Sequence, residues 1–141
     1  MMRFDWSVRV YHEDTDSGGV VYHANYLNFM ERARTEWLRT LGVEQTELRS
    51  ALGVIFVVRA ITLQYKRAAV FNDALDVVTI LNKVGRSLLV FEQKIYRQQQ
   101  VLTEAEVEVV CVNAVDFKPV SIPPAVRRMM ASVLTTAQEN N

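Results

Sequence analysis

From Glu104 to Val109 the chain alternates: Glu104, Glu106 and Glu108 take one parity, and Ala105, Val107 and Val109, followed by Cys111, take the other. Successive side chains of an extended strand point to opposite faces, so this segment belongs to a sheet with a wet face and a dry face. A dry face has to be covered. The apolar residues Leu27, Met30, Ala33, Trp37, Leu38 and Leu41 recur at the spacing of one helix face, which makes a helix from about Ala24 to Leu41 the cover.

The remaining segments agree with that plan. Trp6, Val8 and Val10 alternate with Ser7 and Arg9 and read as a half-buried strand in front of the helix. Gly42 stops the helix, and Glu44 to Leu52 forms a short second one ended by Gly53. Strands follow over Val54 to Lys66, Ala74 to Lys83 and Arg86 to Arg97, the last two joined by a hairpin turn at Val84-Gly85. Gln98-Gln99-Gln100 turns into the alternating strand. Pro119, Pro123 and Pro124 close the strand region, and Ala125 to Leu134 forms a terminal helix before a frayed tail, Thr135 to Asn141. One long helix among antiparallel strands is an α+β pattern. The 141 residues make one domain, with its core over about residues 4–125 and no internal repeat or linker.

Composition narrows the functions. Sixteen basic and sixteen acidic side chains balance, with no basic arm, which argues against nucleic acid as a partner. A single cysteine, Cys111, excludes an internal disulfide and a multi-cysteine metal site, and two histidines without a spaced cluster argue against zinc. Cys111 shares the dry parity and reads as a buried small apolar residue. The N-terminus lacks the apolar core of a signal peptide, and no segment approaches the roughly 20 apolar residues of a membrane helix, so a cytoplasmic protein, not an integral membrane one, is expected.

Chemistry gathers in the loop from Tyr11 to Tyr26, where Glu13, Asp14, Asp16, Gly18, Gly19 and His23 stand between strand and helix. Taken alone, each carboxylate reads as a turn former whose side chain hydrogen-bonds nearby backbone. The loop nevertheless ends at a helix start, whose first N–H groups have no internal partner and carry partial positive charge. A carboxylate beside such an oxyanion site is suited to acyl transfer or hydrolysis.

The run Tyr-x-x-Asp-Thr-Asp-x-x-Gly-Val-Val-Tyr-His-x-x-Tyr from Tyr11 to Tyr26, followed by Glu31-Arg32-Ala33-Arg34, resembles the signature of the hotdog-fold acyl-CoA thioesterases of the 4-hydroxybenzoyl-CoA thioesterase type. Within them it is most similar to the bacterial branch associated with the Tol-Pal envelope system. Weaker matches lie at Tyr65-Lys66-Arg67, Val84-Gly85-Arg86-Ser87 and Lys118-Pro119, while Arg67-Ala68-Ala69 departs from the usual Lys-Pro-Ala form. The resemblance implies a five-stranded antiparallel sheet wrapped around the long central helix. It also implies subunits paired sheet edge to sheet edge, with sites at the dimer interface and a tetramer built from two dimers. Oligomerisation would close the open sheet edges.

The resemblance singles out Asp16 as the catalytic carboxylate, acting as general base or as nucleophile, with Asp14 and Glu13 holding the loop. It places the backbone N–H of His23 at the carbonyl oxygen. The imidazole of His23 keeps two readings: orienting a water or the thioester sulfur, or bonding locally. Gly19, with Gly18, allows close backbone approach and a sharp turn into the helix. His12 is structural. Glu31 and Arg34, three apart on the helix, are expected to form a partly buried ion pair, with a direct catalytic role for Glu31 as the lesser reading. Tyr22, Arg86, Ser87 and Lys66 are the substrate-binding candidates, the basic ones facing coenzyme A phosphates. No cofactor or metal is implied, coenzyme A being part of the substrate. The expected activity is hydrolysis of an acyl-CoA to a carboxylic acid and free coenzyme A. The rival is a non-catalytic module binding acyl-CoA or an acyl carrier protein in envelope or phospholipid metabolism; hotdog dehydratase chemistry ranks last.

Overall fold

Five strands make one antiparallel sheet in the order β1-β3-β4-β5-β2. They are β1 (Phe4–Arg9), β2 (Val54–Tyr65), β3 (Ala74–Val84), β4 (Leu88–Arg97) and β5 (Gln100–Asn113). Helix α1 (Asn25–Thr40) lies between β1 and β2 in the chain, α2 (Gln45–Glu47) continues into a wide π turn at Leu48–Leu52, and α3 (Pro124–Glu139) ends the chain. The structure, a computed structural model, describes residues 3–139, with side chains through residue 134.

The expected cover is in place. Helix α1 turns Tyr26, Phe29, Met30, Ala33, Trp37 and Leu38 inward, where they join Leu75, Val77, Leu89, Phe91, Val107 and Val109 in one apolar cluster. Trp37 meets Phe91 edge to face at 5.5 Å. Each such large side chain contributes about 1.5–3 kcal/mol on full burial. Register shifts at Val58/Ala60, Leu81/Lys83 and Ile95/Tyr96 bend three of the strands, and bulges of this kind increase twist and let a sheet curl around a helix. This is the hotdog arrangement that the opening motif implies.

Several boundaries differ from the sequence reading. The long helix runs from Asn25 to Thr40, with Ala24 and Leu41 as its caps. Strand β4 begins at Leu88, not Arg86, because Gly85 donates its N–H to the Leu88 carbonyl at 2.7 Å and leaves Arg86 and Ser87 in the turn. The terminal helix extends to Glu139 instead of fraying after Leu134, since Thr135 to Glu139 contains no glycine or proline to stop it. Asn140 and Asn141, also assigned to the tail, lie outside the described residues.

The expected Glu31–Arg34 ion pair is replaced by another bond. Arg34 is 9% exposed and donates from Nη1 to Gln93 Oε1 at 2.8 Å. Gln93, fully buried on β4, donates in turn to the Met30 carbonyl and to Thr79 Oγ1, each at 2.9 Å. Burial lowers the Arg34 guanidinium pKa, and the nearby Glu31 charge opposes that shift. Glu31 sits on the exposed side, so Arg34 buries its head toward the sheet amide, where the low dielectric strengthens a hydrogen bond.

Candidate active site

The loop between β1 and α1 is a small hairpin. Thr15 bridges Val21, Asp16 donates its N–H to the Val20 carbonyl at 2.8 Å, and Gly19 donates to the Asp16 carbonyl at 3.0 Å. Val20 bridges Val70, and Val21 donates to the Ala69 carbonyl at 2.9 Å. The hairpin is therefore stitched to the segment between β2 and β3 at one end of the sheet.

Within it the two aspartates have separate environments. Asp14 is 9% exposed; its Oδ2 accepts the Tyr11 N–H at 2.8 Å and its Oδ1 accepts Asn25 Nδ2 at 2.6 Å. It clamps the loop entrance to the first residue of α1. Asp16 is exposed, and its Oδ1 accepts only the Gly18 N–H, at 2.8 Å. Asp16 Oδ2 has no partner among the described residues. Glu13 lies exposed beside Asp14 in the 3-10 turn His12–Asp14, and the His12 ring stacks on Phe71 at 3.7 Å.

The two glycines do different things. Gly19 has φ +83° with open space where a Cβ would be, so its backbone conformation requires glycine and its surroundings are free for a ligand. At Gly18 a Cβ would lie 3.2 Å from Asp16 Oδ1, against the carboxylate itself.

At the helix start, Tyr22 donates to the Asp14 carbonyl and accepts from the Asn25 N–H, both at 2.8 Å. No backbone acceptor meets the N–H groups of His23 and Ala24 among the described residues, which leaves the donors that an anionic oxygen needs. The His23 imidazole is exposed, its ring 4.4 Å from that of Tyr22. Val21, His23, Tyr26, Tyr65, Lys66, Arg67 and Ala68 enclose a shallow cleft of about 240 Å³. Lys66 is thus at the same end of the molecule as Asp16. Its ammonium is 3.4 Å from Glu104.

Arg86 and Ser87 are at the other end. Asp73, at the near end of β3, accepts the Val10 N–H, and the eleven residues of β3 carry the chain away from it, roughly 33 Å at the usual rise of a strand. There Arg86 Nε donates to Ser121 Oγ at 2.7 Å. One chain therefore brings together Asp16, Gly19, Tyr22, His23 and Lys66, and leaves Arg86 and Ser87 apart from them.

A groove of about 390 Å³ lies between α1 and the edge strand β2 and includes Asn28, Glu31, Arg34, Phe56, Val58 and Ile61 in its walls. Sequence reasoning singled out only Glu31 and Arg34 among these, first as an ion pair; the signal was Arg34 within an apolar helix stripe. Among the described residues no cluster of three or more His, Cys, Asp or Glu could hold a metal ion. Cys111 is buried, and burial pushes its thiol up to about 11.

Residues 10–130 match the model of the thioesterase-like superfamily. The chain is 46% identical over 124 residues to the acyl-CoA thioesterase YbgC of Haemophilus influenzae, covering 88% of this chain and 91% of that protein. It is similar to the crystal structure of a probable thioesterase from Bartonella henselae, at 36% identity and a TM-score of 0.83 over 86% of this chain and all of that one. A DHNA-CoA thioesterase from Staphylococcus aureus superposes at a TM-score of 0.93, with 23% identity over 100% of this chain and 97% of that one, and shares the fold.

Proposed function

Since the chain belongs to the thioesterase-like superfamily, we propose that it is an acyl-CoA thioesterase, cleaving an acyl-CoA with water into a carboxylic acid and free coenzyme A. The observation that carries the site assignment is the pairing, on one folded loop, of a carboxylate, Asp16, with a helix start at His23 and Ala24, where among the described residues one Asp16 oxygen and both N–H groups lack a partner.

Two routes use these groups. In one, Asp16 takes a proton from water as the water oxygen adds to the thioester carbonyl, and the sulfur leaves as the thiol after protonation. In the other, Asp16 itself adds, the thiolate leaves, and water hydrolyses the mixed anhydride. In both, charge builds on the carbonyl oxygen, and the N–H groups of the helix start stabilise it without reorganising. Gly19 leaves room for the thioester, and Tyr22 flanks it.

The distant Arg86 and Ser87 acquire a role if two copies pair through β2. This strand is a twelve-residue sheet edge, and unpaired edges of that length invite a partner. A twofold axis through the β2 edge swaps the ends of the sheet, which places the partner's Arg86 at the level of Asp16, where a basic group can meet coenzyme A phosphates. Assembly into a tetramer of two such dimers follows the family pattern; sedimentation at micromolar concentration tests it, and a strictly monomeric species refutes the shared site. Use of acyl-CoA supports a cytoplasmic location, and among the described residues no helix is long and apolar enough to cross a membrane. Likeness to the Tol-Pal branch supports a link to that envelope system, testable by co-purification.

The deciding experiment is a hydrolysis screen of the full chain over acyl-CoA chain lengths, benzoyl-type thioesters and acyl carrier protein thioesters, read as free thiol. Exposure of Asp16 in a plain turn favours one second reading, a binding module for acyl-CoA or an acyl carrier protein. Inactivity across the whole panel with retained acyl-CoA binding establishes that reading.

A further inference from the structure

The N–H groups proposed to receive the carbonyl oxygen belong to two consecutive peptide units, Tyr22–His23 and His23–Ala24. A trans peptide is planar with its C=O and N–H pointing opposite ways, so pinning the oxygen aims the hydrogen. The first unit is pinned from within the loop, because the Tyr22 carbonyl accepts the Asn25 N–H at 2.8 Å. The second is pinned from another element altogether: Tyr65 Oη donates to the His23 carbonyl at 2.6 Å, across 42 residues of sequence.

Tyr65 is well placed to hold that bond. It is the last residue of β2, and its ring packs edge to face on Tyr26 at 5.5 Å. Tyr26 is itself buried and fixed by the Ala69 N–H, which donates to its hydroxyl at 3.0 Å. Helix α1 has no side-chain N-cap bond, its cap position being Ala24. The orientation of the first turn thus depends on the Asp14 clamp on one side and on Tyr65 on the other. Hydrogen bonds in series also polarise one another, so a donor on the His23 carbonyl strengthens the Ala24 N–H of the same peptide.

Resting on the thioesterase reading, we infer that Tyr65 is a positioning residue of the oxyanion site: its hydroxyl, through the His23 carbonyl, orients and polarises the Ala24 N–H, the second of the two donors at the start of α1. Tyr65 itself touches neither the thioester nor the attacking oxygen in this scheme. Its effect should fall on kcat, since the charge it helps to stabilise exists only in the transition state.

The test is steady-state hydrolysis of the acyl-CoA found to be the best substrate, by the full-length protein and its Tyr65→Phe, Tyr65→3-fluorotyrosine and Asp16→Asn variants. Tyr65→Phe keeps the ring packing and removes the donor; kcat should fall about three- to tenfold, the equivalent of one hydrogen bond, with KM held within about twofold. Fluorotyrosine, a stronger donor when assayed below its phenol pKa, should keep kcat at or above the parent value. Unchanged kcat in Tyr65→Phe, a rise in KM alone, or a fluorotyrosine kcat as low as that of Tyr65→Phe overturns the inference, the last because ring packing would then be the cause. Failure of Tyr65 with Asp16→Asn still inactive leaves the thioesterase site standing. An active Asp16→Asn refutes that site and the Tyr65 inference together.

Discussion

The two ends of the sheet are built differently. At the Asp16 end, side chains knit the backbone: Asp14 ties Tyr11 to Asn25, Asp16 caps Gly18, and Asp73 Oδ2 accepts both the Val70 N–H at 2.9 Å and Arg97 Nη1 at 2.8 Å. At the Arg86 end, Asn113 and Asp116 cap the turn after β5, but the turn that carries Arg86 is held by backbone bonds, with Gly85 donating to Leu88, Cys111 to Ser87 and Ile122 to Arg86, and the Arg86–Ser121 contact is a surface one. A reacting carboxylate needs its loop held to fractions of an ångström, whereas a phosphate contact tolerates a flexible arginine on a plain turn. The knitted end therefore suits the reaction chemistry proposed for Asp16, and the other end the phosphate contact proposed for Arg86.

The largest expected effect lies at the knitted end. Asp16→Asn removes the charge that either mechanism needs while keeping size and hydrogen-bonding capacity, and kcat should drop by about a thousandfold, with folding and acyl-CoA binding retained. Solvent oxygen-18 appearing in the Asp16 carboxylate over repeated turnovers identifies it as the nucleophile, with water attacking the Asp16 carbonyl of the mixed anhydride; an unlabelled carboxylate excludes that route and leaves a general base or water attack at the acyl carbon. Near-normal kcat in Asp16→Asn alongside an inactive Asp14→Asn would reverse the two roles.

Asp14→Ala tests the knitting. Losing two hydrogen bonds to a buried carboxylate should destabilise the fold by about 2–3 kcal/mol, seen as a lower denaturant midpoint in urea. A midpoint within error of the parent would mean that the clamp contributes nothing.

The opposite end should answer in binding alone. Arg86→Ala is expected to raise KM for acyl-CoA by roughly three- to tenfold with kcat unchanged, and to leave an acyl-pantetheine lacking the nucleotide phosphates unaffected. Equal damage to both substrates would make Arg86 a structural residue of the turn.

The smallest effect concerns Cys111, buried beside the Arg86 end. Its thiol is held near 11 by burial, above the ordinary cysteine value, so the folded state disfavours the thiolate. The stability tied to the neutral thiol is complete below the unfolded pKa and fades as pH rises from about 9 toward 11. A thiol reagent at pH 8 should find Cys111 unreactive until the chain is denatured; rapid labelling of the native protein would contradict its burial.

Much of the fold was legible in the chain itself, because period and punctuation are local. The parity of Glu104 to Cys111, the stripe from Leu27 to Leu41 and the turn at Gly85 each depend on neighbours within a few residues. The opening motif carried the family, and with it Asp16 and the helix start. Three things needed the tertiary structure. Arg34 bonds Gln93, 59 positions away, instead of Glu31 three positions away, because burial against β4 decides a side chain's partner where helix spacing only offers one. The resemblance told Asp14 from Asp16, but the bonds that make Asp14 a clamp between Tyr11 and Asn25 and leave Asp16 with a single turn bond among the described residues are set by what packs against each. The distance between Asp16 and Arg86, and the reach of Tyr65 to His23, follow from strand length and sheet order, which place residues far apart in sequence side by side and others at opposite ends.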